Sequence, residues 1–384
     1  MSIRSSTKPS SLVDDAHMAR ALELARRGVA LTHPNPAVGA VIVKSGRVVG
    51  EGFHVFDRRE HAEVVALNAT GGLARGSTLY TTLEPCCHSG RTGPCTRAII
   101  DAGVKRVVVA MKDPNPLVSG KGMARLRRAG VQLVTGIRAA EAWRLNEDFS
   151  WWINHRRPFV TLKTALTLDG QIAEKSGSVT WITSQESRDQ VQRLRHAADA
   201  LITGVGTILA DDPRMTDRTE LPRRRPLLRA IVDTHLRTPP DSEIVRSAKD
   251  DLVVFTAAPL DSPKAKALVR CGIEVVRVRP RNRRVDLGEV LDELGRREIL
   301  NAILEAGATL NGAALAAGLV NKMILFYAPK IMGPAGIPLA NVASAWFKQS
   351  RALEDVQLSR FGPDFCVEGY FHNVYRNHRT RRND

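Results

Sequence analysis

Residues 61–95 read HAEVVALNATGGLARGSTLYTTLEPCCHSGRTGPC, and their spacing decides the fold of the first half of the chain. HAEVVALNA (61–69) has helical apolar periodicity and stops at Gly71-Gly72. STLYTTL (77–83) then reads as a strand and CTRAIIDAG (95–103) as the next helix. This layout brings His61, Glu63, Cys86 and Cys95 to two adjacent helix starts, where the positive helix end favours thiolate over thiol. Upstream, Asp14 and Asp15 predict a cap for a helix running through Met18, Leu22 and Ala25 to Gly28. AVGAVIVK (37–44) and RVVGEGF (47–53) read as a strand pair across Ser45-Gly46. Downstream come the strand KRVVVAM (105–111), a helix from Met123 and the strand VQLVTG (131–136). Alternating strands and helices predict an α/β layer on a largely parallel sheet.

The same residues carry chemistry. One imidazole and two thiolates supply three N/S donors with a fourth position open, as a catalytic zinc requires; a structural site is more often closed by a fourth Cys or His. Glu63, two residues beyond the His ligand, is free to carry protons. The H-x-E…P-C order is the signature of zinc-dependent base deaminases. In that chemistry, hydroxide attacks an amidine-like carbon and the carboxylate passes protons to the ring nitrogen and to leaving ammonia. The commonest deaminase spacing is P-C-x-x-C, whereas eight residues separate Cys86 from Cys95 here. Cys87 and His88 compete as donors; a preceding proline favours Cys86 and Cys95.

The chain has 384 residues, 43% hydrophobic and 25% charged, so two domains with ordinary cores are expected. Five cysteines, three of them within ten residues, do not suit a disulfide framework and point to metal or catalysis. MSIRSSTKPSSLVDD lacks the apolar region of a signal peptide, and no apolar run approaches a membrane span, so a cytoplasmic location is expected. The net charge of +16 is spread through RRRP, RPRNRR and the C-terminal tail. It suits nucleic acid or phosphorylated small molecules. Aromatics make up 5% and do not interleave with the basic residues as a stacking platform would.

A boundary falls near FSWWINHRRPF (149–159), and a second α/β series follows. FVTLKTALTLDG reads as strand and turn, SQESRDQVQRLRHAA (184–198) as a helix capped by Ser184. DALITGV, LLRAIVD, DLVVFT, IEVVRV and ILNAILEAG read as buried strands, with VNKMILFYAPK (320–330) and DFCVEGYF (364–371) as further extended segments. Thr203-Gly-Val-Gly-Thr207 follows one strand, and Glu305-Ala-Gly-Ala-Thr-Leu-Asn-Gly312 follows another and opens a helix, the place for a phosphate.

HPNPAVGAVIVKSGRVVGEGFH, HAEVVAL, TLEPCCHSGRTGPC and KDPNP together resemble the deaminase domain of the bifunctional riboflavin-biosynthesis deaminase/reductases. LKTALTLDG, SGSVTWITS, LRHAADALITGVGTILADDPRMTDR and LEAGATLNGAAL are similar to that family's dihydrofolate-reductase-like domain. The resemblance spans about residues 12 to 371. It implies an N-terminal cytidine-deaminase-like three-layer domain (12–148), a linker (149–158), a C-terminal dihydrofolate-reductase-like domain (159–372) and a basic tail (373–384). It further implies zinc ligands His61, Cys86 and Cys95, with Glu63 as proton shuttle and Asn35 and His54 holding the pyrimidine. NADPH contacts are implied at Ala165, Trp181, Thr207, Asp211, Thr234, Gly307, Ala308, Thr309, Leu310, Asn311, Gly312 and Ala313. Substrate contacts are implied at Arg195, Met215, Arg218 and Glu305, the two arginines suiting a ribose phosphate. Lys163 and Asp211 are candidate proton donors for the hydride step. Two stretches depart from the family pattern: Asp57-Arg58-Arg59-Glu60 stands where a glycine is usual, and Ser178-Val179-Thr180 where a Glu-Ser pair is usual.

The expected activity is deamination of 2,5-diamino-6-ribosylamino-4(3H)-pyrimidinone 5′-phosphate followed by NADPH-dependent reduction of ribosyl to ribityl, in a homo-oligomer that binds neither nucleic acid nor membrane. The alternative is a zinc nucleic-acid (tRNA) base deaminase with a non-catalytic second domain, which predicts a basic, aromatic-bearing groove. A non-enzymatic zinc scaffold would need four closed ligands.

Overall fold

The computed structural model describes residues 9–90, 92–174, 182–342 and 351–371. They divide into two compact units with the boundary between His155 and Arg156. The first runs α1 (Pro9–Arg26), β1 (Gly39–Lys44), β2 (Arg47–Phe53), α2 (Ala62–Asn68), β3 (Thr78–Leu83), α3 (Cys95–Asp101), β4 (Arg106–Met111), α4 (Lys121–Arg128), β5 (Gln132–Thr135), α5 (Ala139–Leu145) and α6 (Glu147–His155).

Its sheet has the order β2-β1-β3-β4-β5. β3, β4 and β5 are parallel, but β1 is antiparallel to both β2 and β3. The largely parallel sheet expected from the sequence is therefore half antiparallel. The two-residue turn at Ser45-Gly46 reverses the chain, and the β2-α2-β3 crossover then steps over β1, leaving it opposed to both neighbours. Ala40 and Gly52 are cross-strand partners and share a face. A Cβ on Gly52 would lie 2.5 Å from the Ala62 carbonyl oxygen of α2, whereas one on Gly39, on the other face, would lie 2.0 Å from that of Ala21 in α1. Helices thus press on both faces of one sheet, giving three layers.

Two local expectations change. Helix α1 starts upstream of Asp14, which is not a cap but a buried acceptor for Tyr80 Oη at 2.8 Å and for both Arg106 terminal nitrogens at 2.8 and 2.6 Å. Residues 149–155, read as linker, belong to α6, which buries Phe149, Ser150 and Trp152. The i, i+3 spacing of Phe149 and Trp152 makes an apolar helix face that the polar residues around it disguise.

The second unit begins with β6 (Phe159–Thr167), β7 (Gln171–Glu174), α7 (Gln185–Ala197), β8 (Ala200–Gly204), α8 (Val205–Asp211), β9 (Leu228–Val232), α9 (Glu243–Arg246), β10 (Leu252–Thr256), α10 (Pro263–Arg270) and β11 (Glu274–Arg277). It continues with β12 (Pro280–Arg281), β13 (Arg284–Val285), α11 (Leu287–Arg296), β14 (Asn301–Leu304), α12 (Ala308–Ala316), β15 (Lys322–Ala328), β16 (Gly336–Pro338), β17 (Glu354–Phe361) and β18 (Asp364–Tyr370). The main sheet has the order β11-β10-β9-β8-β14-β6-β15-β18-β17. From β11 to β15 all neighbours are parallel, and β18 and β17 add an antiparallel edge.

Strand alternation builds two cores. Ala200, Ile202, Ala230, Val232, Val253 and Phe255 pack against Val290, Leu291 and Leu294 of α11. Leu201, Ile231 and Val254 point the other way onto Ile208, Ile244 and Leu268. IEVVRV, expected as a buried strand, is the sheet's exposed edge β11, with Glu274 exposed and Val275 and Val276 half-buried. Ser184 caps α7 as expected, accepting the Ser187 amide. Trp181, Ser178-Val179-Thr180 and the tail from 373 lie outside the described residues. Among the described residues no helix is long and apolar enough to cross a membrane.

Candidate functional site

His61 is the N-cap residue of α2, Cys95 the first residue of α3, and Cys86 lies in the loop after β3. Their donor atoms all fall within 4.8 Å of one another. His61 Nδ1 is 3.0 Å from Cys95 Sγ and 3.5 Å from Cys86 Sγ, and the Cys95 amide donates to Cys86 Sγ at 3.3 Å. Hydrogen bonds from Cys95 and His61 pull the Cys86 thiol well below its usual range, which favours the thiolate. The same bond, together with burial, pushes Cys95 up. One ready thiolate, one imidazole and one thiol that metal would ionise form a donor set suited to zinc, with three protein ligands. Neither Cys87 nor His88 joins the cluster.

Glu63, on the first turn of α2, is buried, and that burial pushes its carboxyl up to about 7. A carboxyl that gains and loses a proton near neutrality is what a proton shuttle needs. Beside it, His54 Nδ1 lies 2.8 Å from the Glu60 carbonyl oxygen, which can only accept. His54 Nε2 is therefore the acceptor for Asn35 Nδ2 at 3.0 Å. The carbonyl that fixes the His54 tautomer is thus a backbone group of the Asp57–Glu60 stretch. The His54 and His61 rings meet edge to face at 5.5 Å.

One residue of this site was not singled out by the sequence reading. Glu84, buried in TLEPCC, accepts the amides of Asp113 at 3.2 Å, Gly120 at 2.8 Å and Met123 at 3.1 Å. It pins α4 and the KDPNP turn to the loop carrying Cys86. Its only signal in the sequence is a glutamate in an apolar strand end, which does not say what it accepts.

In the second unit a cavity of about 1610 Å³ opens at the carboxyl ends of β6, β8, β9 and β14, where open α/β sheets hold ligands. It is lined by Ala165, Thr207, Asp211, Thr234, Gly307, Ala308, Thr309, Leu310 and Ala313, and by Arg195, Met215, Arg218 and Glu305. Asn311 and Gly312, expected beside them, do not line it. Asn311 is fully buried and donates to the Leu339 carbonyl at 3.0 Å, and Gly312 packs against the Asn341 backbone. They sit on the inner side of α12, where helical periodicity turns them from the cavity.

At the cavity's polar end, Glu305 accepts from Arg195 Nε and Nη2 at 2.9 Å each and from Lys163 Nζ at 3.2 Å. Burial works against its charge, yet Lys163 and Arg195 hold its carboxyl down to about 2. Burial pushes Lys163 down in turn, and the neighbouring Arg195 adds to this. Arg195, expected to grip a phosphate, has its fork committed to Glu305 and its third nitrogen to the Thr216 carbonyl at 3.0 Å. Arg218 is exposed, with no ion-pair partner among the described residues. Met215 holds φ +55°, a left-handed conformation costly for a long side chain and typical of binding loops. Burial raises Asp211, at the end of α8. The rim also takes in His235, Arg237 and Arg284.

The family described as cytidine and deoxycytidylate deaminase zinc-binding region matches residues 12–111, and the RibD C-terminal domain family matches residues 158–367. The chain is 41% identical over 355 residues to riboflavin biosynthesis protein RibD of Aquifex aeolicus, covering 92% of this chain and 98% of the relative. The structure resembles that of Acinetobacter baumannii RibD (form 1), with a TM-score of 0.83, 36% identity, and 94% and 99% of the two chains covered. It also resembles a diaminohydroxyphosphoribosylaminopyrimidine deaminase/5-amino-6-(5-phosphoribosylamino)uracil reductase from Thermotoga maritima, with a TM-score of 0.81, 33% identity and the same coverage.

Proposed function

The chain belongs to the RibD family of riboflavin-biosynthesis enzymes, and from that premise we propose that its first unit removes the 2-amino group of 2,5-diamino-6-ribosylamino-4(3H)-pyrimidinone 5′-phosphate and its second reduces the resulting ribosyl group to ribityl with NADPH. It is a bifunctional enzyme, with a zinc deaminase domain and a reductase domain on one chain. The observation that carries the substrate reading is the meeting of a three-donor metal cluster with a buried carboxyl, on a chain whose other unit opens a cavity ending in cations and a carboxylate.

His61, Cys86 and Cys95 would hold zinc, which supplies a water acidic enough to ionise near neutral pH. Glu63 takes a proton from the attacking water and gives it to the ring nitrogen, then takes the remaining proton of the added hydroxyl and gives it to the departing amine as the carbon–nitrogen bond breaks. Asn35, held by His54 in one tautomer, presents a polar group to the pyrimidine. In the second unit the start of α12 (Gly307–Leu310) would hold a phosphate of NADPH, and Ala165, Thr207, Asp211 and Thr234 would line the rest of the cofactor, which would supply the hydride. Glu305 orients the ribosyl hydroxyls, and Lys163, made more acidic by burial, hands its proton to the sugar oxygen as the hydride adds to carbon. Arg218 meets the ribose phosphate, while Arg195 holds Glu305 in place.

We assign deamination to the unit ending at His155 and reduction to the unit beginning at Arg156. The positive charge serves phosphorylated small molecules, and the enzyme works as a cytoplasmic homo-oligomer, which light scattering of the purified protein tests. Mass analysis of the diaminopyrimidinone phosphate after incubation checks the rest. Without NADPH an oxo group should replace an amino group; with NADPH two hydrogens should be added. Addition of hydrogen without prior loss of the amine would reverse the order, and no conversion would refute the substrate.

A further inference from the structure

Asn35 stands in the connection from α1 to β1, residues 27–38, which belongs to neither helix nor strand. The ends of that connection are tied to the chain leaving β2. The Phe56 amide donates to the Leu31 carbonyl at 3.1 Å, and the His54 amide to the Val38 carbonyl at 3.0 Å. Between these ties, the grip comes from far along the chain. Asn146, between α5 and α6, is buried and gives Ala37 both halves of its amide. Its Oδ1 accepts the Ala37 N–H at 2.7 Å, and its Nδ2 donates to the Ala37 carbonyl at 3.0 Å. One side chain thereby makes the two-way exchange that a residue of a neighbouring antiparallel strand would make. On the other side of Asn35, His33 Nε2 lies 3.1 Å from Asp148 Oδ2 in the first turn of α6, and both side chains are largely buried. The α5–α6 junction is itself stiff. Ser150 Oγ donates to the Asn146 carbonyl at 2.7 Å, and Ala142 and Trp143 of α5 are buried along with Phe149 and Trp152 of α6.

We propose that Asn146 and Asp148 are positioning residues for deamination: they grip the loop on either side of Asn35, fix where its side chain stands, and so set how the pyrimidine is oriented for attack. This rests on the reading of Asn35 as a pyrimidine contact. Nδ2 of Asn35 is taken by His54 Nε2 at 3.0 Å, so Oδ1 is the atom left to accept an N–H of the substrate. An acceptor on an irregular loop orients a ligand only where that loop is tied. A misplacement of about 1 Å, even from a change far from the chemistry, can cost on the order of a hundred-fold in rate. Leaving either Ala37 backbone group dry is costly, so the loop and the junction lock together. Neither Asn146 nor Asp148 belongs to the cluster of His61, Cys86 and Cys95, which makes their action separable from metal binding.

The test uses the full-length zinc-loaded protein, with ammonia release measured against substrate concentration and reduction measured separately on already deaminated substrate. Asn146→Ala should lower kcat/KM for ammonia release roughly 10–100-fold, and Asp148→Ala by a smaller factor. One zinc per chain should be retained and reduction should be unchanged. Asp148→Asn, which can still bond to His33 without the charge, should recover part of the loss. In an Asn35→Ala background neither alanine variant should lower kcat/KM by more than about two-fold further, because residues that act through one side chain are not additive. Asp148→Ala runs the same cycle should Asn146→Ala fail to fold. Losses that stay additive in the Asn35→Ala background overturn the proposal by making the junction merely structural. Loss of zinc in both variants overturns it by making the junction a support of the metal cluster. Wild-type kcat/KM in both single variants also overturns it, and leaves Asn35 as a pyrimidine contact. Wild-type ammonia release by Asn35→Ala itself overturns the reading of Asn35 and the proposal with it.

Discussion

Glu63 and Glu84 are two buried carboxylates of the deaminase unit with opposite duties. Glu63 has no ion-pair partner among the described residues, and its burial keeps a proton within reach near neutrality. Glu63→Gln keeps the shape and removes the titration, so ammonia release should fall roughly 10²–10⁴-fold while one zinc per chain is retained. Unchanged ammonia release would remove Glu63 from the mechanism. Glu84 is an anchor, its carboxylate taking three backbone amides. Glu84→Ala orphans those donors at about 1–3 kcal/mol for each one left dry, and should lower the melting temperature along with zinc retention. In the reductase unit Glu305 is depressed to about 2 from 4.5, so its pairing with Lys163 and Arg195 stabilises the fold above pH 4.5 and is lost as pH falls towards 2. Glu305→Gln should therefore cost on the order of 3 kcal/mol at neutral pH, measured by denaturant unfolding. The gap to wild type should close across that acid window; a gap that stays constant with pH would show that the ion pairs do not set this stability.

Among the elements, α2 is the one on which the metal cluster depends. Its start carries His61 and Glu63, and its approach to β2 is possible only because Gly52 has no side chain. Gly52→Ala would set a Cβ 2.5 Å from the Ala62 carbonyl oxygen and 2.6 Å from the Ala66 amide, forcing the helix outward. Overpacking of this kind costs about 1–3 kcal/mol, and zinc affinity should drop with stability because the displaced residues adjoin the ligand. Zinc titration of the variant checks this, and full affinity would show that α2 adjusts without moving His61. The helices and strands here were mostly legible in the sequence, since HAEVVALNA, STLYTTL and CTRAIIDAG carry clear periods. What misled the reading was local: aromatic and polar residues hid α6, and the apolar IEVVRV concealed an edge strand. Edges are set by which strand has a neighbour, and sequence periodicity does not contain that information.

For the molecule as a whole, two cores imply two separable chemistries. Chelation of zinc should abolish ammonia release while NADPH oxidation on already deaminated substrate continues. In a melting experiment chelation should lower one transition and NADPH should raise the other. A single transition that both treatments move together would mean the units unfold as one. The sequence by itself determined the reaction class, because metal ligands and proton carriers must be particular residue types at spacings a helix start and a loop can deliver: His61, Glu63, Cys86 and Cys95. It also determined the alternation of strands and helices, which follows from local periodicity. Only the tertiary structure decided that β1 opposes both its neighbours and that Glu84 anchors the Cys86 loop. It likewise showed Arg195 turned to Glu305 and away from a phosphate, and brought RPRNRR to the rim of a cavity formed largely by residues distant in the chain. These are pairings between residues far apart in sequence, fixed by packing and hydrogen-bond satisfaction, and no local pattern encodes them.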